Sequence, residues 1–292
     1  MDGWPVPPWW DRRLVGGGST VMSRDLLNTL PPTLLLVIQL SASVIALFFL
    51  AAPRMPWRYQ SGGMLRAALI GILEPGLTYS IGLIGLSLTT AGSATIIGAT
   101  EPIIIVLVAW MLLGQRPTYR LSVCIIIAVI GLLLVSGEAL LGHAQGSALG
   151  DALIVLATFF AASYVVLSSR VAGHFPAATL ALGQQLTGLA FAFVVFLGVQ
   201  GLRLEAHAFE SLSPAVVSYA AVAGIVQYAL AFWLYLIGLR YLTPAAAGLW
   251  LTLVPVFGLF GAYAWLGEVP TLVMIGGSTL IIGAVIVGKA EK

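Results

Sequence analysis

Charge is scarce in this chain. Only 8% of its 292 residues are Asp, Glu, Lys or Arg, where a soluble domain carries about 25%. That shortfall excludes a surface that faces water throughout. The net charge of +2 is too small and too scattered to suggest a nucleic-acid partner. A single cysteine, Cys124, excludes an internal disulfide and any cysteine-only metal site. The three histidines, His143, His174 and His207, lie far apart and show no metal spacing. Ser, His and acidic residues form no recognisable nucleophilic set, and no phosphate-binding glycine loop is present. No enzyme activity, cofactor, metal or ATP-driven step is therefore expected. No secretory signal with a cleavage site is visible at the N-terminus.

What is abundant is apolar. Hydrophobic residues make up 60% of the chain and the mean hydropathy is +1.03. Apolar runs long enough to cross a bilayer recur at about 32–52, 65–87, 92–113, 121–140, 150–171, 177–199, 215–238, 244–266 and 271–288. Residues 1–14, MDGWPVPPWWDRRL, are a polar, Pro- and Trp-rich segment. Residues 15–29 are only half apolar, so the first helix is expected to be short or truncated. At an offset of 144, Ser19, Val21 and Pro32 match Ser163, Val165 and Pro176, as though residues 15–29 were the end of a longer helix. Two readings stay open: a truncated or mis-started chain, or a natural half-helix lining a cavity.

One stretch occurs twice. Residues 83–117 superpose on 236–270 at an offset of 153 without a gap, with 11 of 35 positions identical. Apolar bias alone would not keep Pro102 with Pro255, Gly114 with Gly267 and Pro117 with Pro270 in register. The chain therefore reads as an internal duplication, with repeats at 15–140 and 150–288. Ten crossings put eleven of the 13 Lys and Arg on the N-terminal side, leaving Arg24 and Arg203 opposite. By the positive-inside rule both termini are expected in the cytoplasm. Five helices per repeat is an odd number, which inverts the second copy. The expected fold is an all-α polytopic membrane protein of ten transmembrane helices, built as two inverted five-helix repeats with a substrate site between them.

The motifs resemble the drug/metabolite transporter superfamily, specifically its ten-helix EamA-type exporters. Glu101-Pro102 followed by Leu113-Gly114-Gln115-Arg116 is similar to that family's "EP…LGER" pattern, and Leu266-Gly267-Glu268 repeats its end. Gly150-Asp151-Ala152-Leu153, leading to Tyr164-Val165 and Ser169-Arg170, is similar to the family's second-repeat opening. The resemblance covers about residues 18–288. Gln115 and Val254 stand where the family commonly has Glu, and the family's Trp-Gly in span one is missing. The resemblance implies a secondary transporter in a bacterial inner membrane that exports amino acids or other small metabolites. It also implies that spans five and ten are outer supports.

Two carboxylates, Glu74 and Glu101, fall inside expected spans. A charge at mid-bilayer costs about 2.5–3.5 kcal/mol, so each is a functional candidate. Each precedes a proline, and each proline has a glycine four residues earlier: Gly71 before Pro75, Gly98 before Pro102. Such pairs predict kinks with a freed backbone carbonyl, and Pro255 predicts one in the second copy. The repeat partner of Glu74 is Gln227, so a polar residue occupies both symmetric positions. A protonatable Glu in such a cavity would let protons act as the coupling ion. Thr78, Gln39 and Gln184 are further candidates for a polar lining or for interhelical packing. Tyr228, Trp233 and Trp250 fall near span middles and are candidates for stacking on a ring-bearing or cationic substrate. Tyr164 and Tyr235 are expected in the interfacial belts. The partners expected are membrane lipid and a small solute. An oligomer stays open, as do a carrier for a cationic drug or sugar derivative and a non-transporting membrane protein of the same fold.

Overall fold

The computed structural model describes residue 26 and residues 29–52, 62–89, 91–135, 147–202, 212–261 and 270–288. The N-terminal segment 1–14 and the expected short first helix at 15–29, Leu26 and Thr29 apart, lie outside the described residues. So do Arg24, Arg203 and the Leu266-Gly267-Glu268 motif.

Among the described residues every regular element is helical. In chain order they are α1 (Pro32–Ala51), α2 (Gly62–Leu69), α3 (Thr78–Leu88), α4 (Ala91–Gly98), α5 (Glu101–Leu113), α6 (Tyr119–Val135), α7 (Ala148–Val171), α8 (Ala177–Gly201), α9 (Pro214–Gly224), α10 (Ala231–Gly238), α11 (Pro244–Leu251), α12 (Val254–Gly261) and α13 (Leu272–Gly288). Helix starts follow the local chemistry. α1, α9 and α11 open on proline, whose missing N–H falls where a helix has no internal acceptor. Ser147, Ser213 and Thr243 cap α7, α9 and α11 by accepting from the amides of Gly150, Val216 and Ala246.

Among the described residues five stretches are long and apolar enough to cross a membrane: Pro32–Ala51, Gly63–Leu86, Ala148–Val171, Ala177–Gly201 and Pro214–Gly238. Glu101–Leu113, Tyr119–Val135 and Leu272–Gly288 are shorter and equally apolar. Large side chains such as Phe49, Met111, Val194, Phe257 and Ile286 point outward. An apolar outer surface of this kind is stable only against lipid.

Four of the expected continuous spans are broken. Between α2 and α3 the chain tightens into a 3-10 turn at Ile70–Ile72 and widens into a π turn at Leu73–Leu77. Pro75, which cannot donate to a helical ladder, sits in that widened turn. α4 stops before Ala99 and α5 restarts with Pro102 at its second position; α11 stops before Thr252 and α12 restarts with Pro255 at its second position. Between α9 and α10 a π turn at Ile225–Leu230 forms without a proline. The 153-residue offset carries Leu73–Leu77 onto 226–230, so both copies break at one depth. Tyr228 stands where Pro75 would fall.

The two copies interlock. α8 packs along α1 and α2, α9 packs on α1, and α7 packs on α3 and α5. These contacts form the main core, centred on Leu40, Ile105, Tyr164, Leu180 and Leu236. α6 and α13 pair beside it with their own apolar cluster around Cys124, Ala128 and Ile281. Their backbones meet at Gly131 and Gly277, where a Cβ on either would collide with the other's carbonyl.

Side-chain and backbone hydrogen bonds tie the two ends of the bundle. At one end Asp151, in the first turn of α7, accepts from the Thr89 hydroxyl and, at 2.7 Å, from the Ser93 hydroxyl. The Ser147 amide donates to the Leu88 carbonyl beside them. At the opposite end the Arg170 guanidinium donates to the Leu112 carbonyl at 3.0 Å, and that of Arg240 to the Phe175 carbonyl.

Candidate transport cavity

A cavity of about 570 Å³ lies where the broken helices meet, bounded by residues of both copies. The first copy contributes Glu74, Tyr79, Gly98, Glu101, Pro102 and Leu132. The second contributes Tyr164, Val165, Gln227, Ala231, Phe232, Tyr235, Leu251, Thr252 and Val254.

The helix breaks explain how these side chains come together. Glu74 has an extended backbone (φ −145°, ψ 124°) between two helical turns. The π turn adds a residue, so the Thr78 amide reaches the Leu73 carbonyl five positions back. In a regular α-helix a residue five positions on lies about 140° round the axis. Here the widened turn brings Tyr79 back beside Glu74, and its hydroxyl donates to the Glu74 carboxyl. Glu101 enters at the first turn of α5, where the break leaves room in front of it. Gly98 faces that room: a Cβ there would meet nothing within 4 Å.

One wall is aromatic. Tyr79 stands edge-on to Tyr228, with centroids 5.1 Å apart and planes at 90°. Tyr228 contacts Phe232 at 6.2 Å, and Phe232 contacts Tyr164 at 5.6 Å. The wall is held from behind by α8. The Tyr164 hydroxyl donates to Gln184 Oε1 at 2.9 Å. Gln184 Nε2 in turn donates to Ser168 Oγ at 3.1 Å and to the Ala67 carbonyl at 3.3 Å. Gln185 Nε2 donates to the Tyr228 carbonyl at 3.3 Å. The hydroxyl of Tyr235 is closed off from solvent and has no hydrogen-bond partner among the described residues.

Of the residues singled out in the sequence, Glu74, Glu101, Gln227, Gly98 and Pro102 line the cavity. Thr78 lies beside it and donates to the Leu73 carbonyl at 2.9 Å and the Ala157 carbonyl at 3.4 Å, joining α3 to α7. Gln39 and Gln184 are buried at helix crossings, against Gly224 and Gly71 respectively. Pro75 rests on Gly188 of α8. Tyr228 is buried in the wall, Trp233 is partly buried against the main core, and Trp250 is 38% exposed on the outer surface. Pro255 is the second residue of α12.

The cavity also uses residues that the sequence reading passed over or placed elsewhere. Tyr164 and Tyr235, expected in interfacial belts, line it, as do Tyr79, Phe232 and Thr252. A signal for part of this set was available. Gln227, Ala231 and Tyr235 follow one another at helical i, i+4, i+8 spacing, so one polar residue on that face marks the rest.

The EamA-like transporter family matches residues 14–137 and 148–288, almost the whole chain in two copies. The chain belongs to this family. A "Probable terminal-alkyne amino-acid exporter" of Streptantibioticus cattleyicolor is 29% identical over 209 residues, 68% of this chain and 64% of that protein. The "Uncharacterized transporter YetK" of Bacillus subtilis is 23% identical over 214 residues, 72% of this chain and 63% of that protein. The matched region thus spans less than two thirds of the length of either relative. A solved crystal structure superposes with a TM-score of 0.74, covering 92% of this chain and 91% of that one at 17% identity. At that identity the likeness shows the shared fold alone.

Proposed function

We propose that this EamA-family protein is a secondary transporter that exports a small amphiphilic metabolite by alternating access. The observation that carries the reading is the cavity itself. It lies between two sequence-related copies, at the breaks of four helical paths, and it holds both carboxylates of the expected spans. Unwound backbone inside a membrane is tolerated where it lines a cavity, and carriers of inverted-repeat design place solute there. The ties at the two ends suit such a cycle: the Asp151 cluster closes one end and the Arg170 and Arg240 contacts hold the other. We place the chain in a bacterial cytoplasmic membrane with both termini in the cytoplasm, so that the Asp151 end faces outward.

One relative is named as an exporter of amino acids, which makes them the first class to try. A second reading, a carrier for a cationic solute, is favoured by the two carboxylates in the lining. Solute counterflow into proteoliposomes holding the purified full chain tests the proposal. Saturable uptake of at least one member of a panel of amino acids and amines is the expected result. No uptake of any member, by protein that elutes as a single folded species, would favour the non-transporting reading.

A further inference from the structure

A groove separate from the central cavity runs along the paired helices α6 and α13, with a volume of about 470 Å³. Val123 and Ile127 of α6 line one side, and Leu280 and Val287 of α13 the other. Cys124 and Ala284, both buried, lie at its floor. Gly283 keeps it open, because a Cβ there would meet nothing within 4 Å. The apolar part extends for about two helical turns. At one end the groove reaches Tyr119 and Arg120, in the first turn of α6. Both are exposed, as is Arg116 in the connection four residues earlier.

This layout matches the layers of a membrane. Tyr and Arg at the mouth of an apolar slot sit at the depth of lipid headgroups, and the slot beyond them lies in hydrocarbon. A lipid chain gains no hydrophobic energy by leaving other chains for the groove. It gains close packing against a fixed, concave surface. The arginines then decide which headgroup is favoured. The orientation proposed above puts this end in the cytoplasmic leaflet, where anionic lipids are found. A second copy of the chain fits the face less well. Two copies in one membrane share one orientation, so a twofold interface through the groove would set Arg120 at the depth of its own counterpart, like charge against like.

We infer that the α6–α13 groove binds one anionic phospholipid, with an acyl chain along the groove and the phosphate at Arg120, and with Arg116 adding to the positive field. This goes beyond the transport reading and does not depend on it.

Three lipids with the same pair of chains separate packing from charge: phosphatidylglycerol, phosphatidylcholine and diacylglycerol. Each is titrated into the purified full chain in mild detergent, and binding is read by native mass spectrometry. The first phosphatidylglycerol should bind at least about fivefold more tightly than either of the other two. Arg120→Gln should weaken phosphatidylglycerol about fivefold and leave phosphatidylcholine unchanged. Gly283→Leu, which fills the groove, should weaken both phospholipids severalfold. Gly276→Leu, at another open position of α13 outside the groove, should weaken neither. Arg120 is exposed, so its variant decides the matter if Gly283→Leu does not fold. Equal affinity for phosphatidylglycerol and phosphatidylcholine overturns the inference. So does phosphatidylglycerol binding that neither Arg120→Gln nor Gly283→Leu weakens, or no lipid binding at all. A lipid-free dimer that Gly283→Leu dissociates would also overturn it, and would assign the groove to a second copy of the chain.

Discussion

Gly71 lies so close to Gln184 that a Cβ on the glycine would overlap the Gln184 backbone carbonyl. Gly224 meets Gln39 in the same way. The 153-residue offset relates the two glycines, and in each pair the glycine comes from one copy and the glutamine from the other. Each contact also lies just before a π turn. At both crossings the copies come into backbone contact, and there the backbone, not a side chain, sets the distance.

Substituting alanine at either glycine therefore forces helices apart. Overpacking of a well-filled site costs about 1–3 kcal/mol. Gly71→Ala and Gly224→Ala should each lower the thermal unfolding midpoint in detergent. Gly98→Ala, which projects into open cavity, should leave that midpoint unchanged. Equal midpoints for all three variants would contradict the close crossings.

Gln184 is the second structural prediction. Its amide group joins Tyr164, Ser168 and the Ala67 carbonyl, so it positions one tyrosine of the cavity wall. Replacing it with leucine leaves the Ala67 carbonyl and the Tyr164 hydroxyl without these partners. A buried polar group left unpaired costs about 1–3 kcal/mol. Gln184→Leu should be less stable than Gln184→Glu, which keeps an acceptor for Tyr164. Solute affinity should fall with stability in the leucine variant. A stable Gln184→Leu protein with parental affinity would remove Gln184 from any positioning role.

How much of this could be read from the sequence depends on the kind of signal. The duplication, the apolar helices and the acidic positions were legible because they rest on composition, spacing and a fixed offset. Glu74, Glu101 and Gln227 were found by the cost of a polar group in lipid and by repeat symmetry. Tyr79 was not, because a regular helix would turn it away from Glu74 and only the widened turn brings it back. Trp250 shows the opposite error source. It lies mid-span by sequence, yet α11 turns it outward while its neighbours Leu251 and Thr252 face inward. Depth in a membrane can be counted from a sequence, but rotation about a broken helix cannot.

Proton coupling is tested through the two glutamates. If proton exchange at Glu74 or Glu101 drives solute release, transport should depend on an imposed pH gradient. Glu74→Gln and Glu101→Gln cannot release a proton at those positions. The expected outcome is loss of gradient-driven flux in at least one variant, read in proteoliposomes with the inner and outer pH set separately. Both variants retaining the full parental response to the gradient would place the coupling elsewhere.

Membrane orientation is open to labelling because Cys124 is the single native thiol and is buried. In a Cys124→Ser background, Gln115→Cys places a thiol at an exposed position between α5 and α6. With both termini cytoplasmic, a membrane-impermeant maleimide should react with it only after cells are opened. Reaction in intact cells would reverse the assignment.

The last prediction concerns the end tied together at Asp151. Its carboxylate accepts from both Thr89 and Ser93, and so ties the connection between α3 and α4 to the start of α7. Asp151→Ala removes both bonds, and Thr89→Ala removes one. If this cluster holds the cavity shut at that end, either change shifts the population toward an opening there. A thiol at Gly98→Cys, which faces the cavity, reports the shift in the Cys124→Ser background. Impermeant reagent added to intact cells should label it severalfold faster when Asp151→Ala is present, and to an intermediate degree with Thr89→Ala. The same reagent added from the cytoplasmic side should react more slowly than in the parent, because opening one end of an alternating carrier closes the other. A faster rate from both sides would mean that the substitution loosens the bundle as a whole, and the cluster would then be a packing contact instead of a gate.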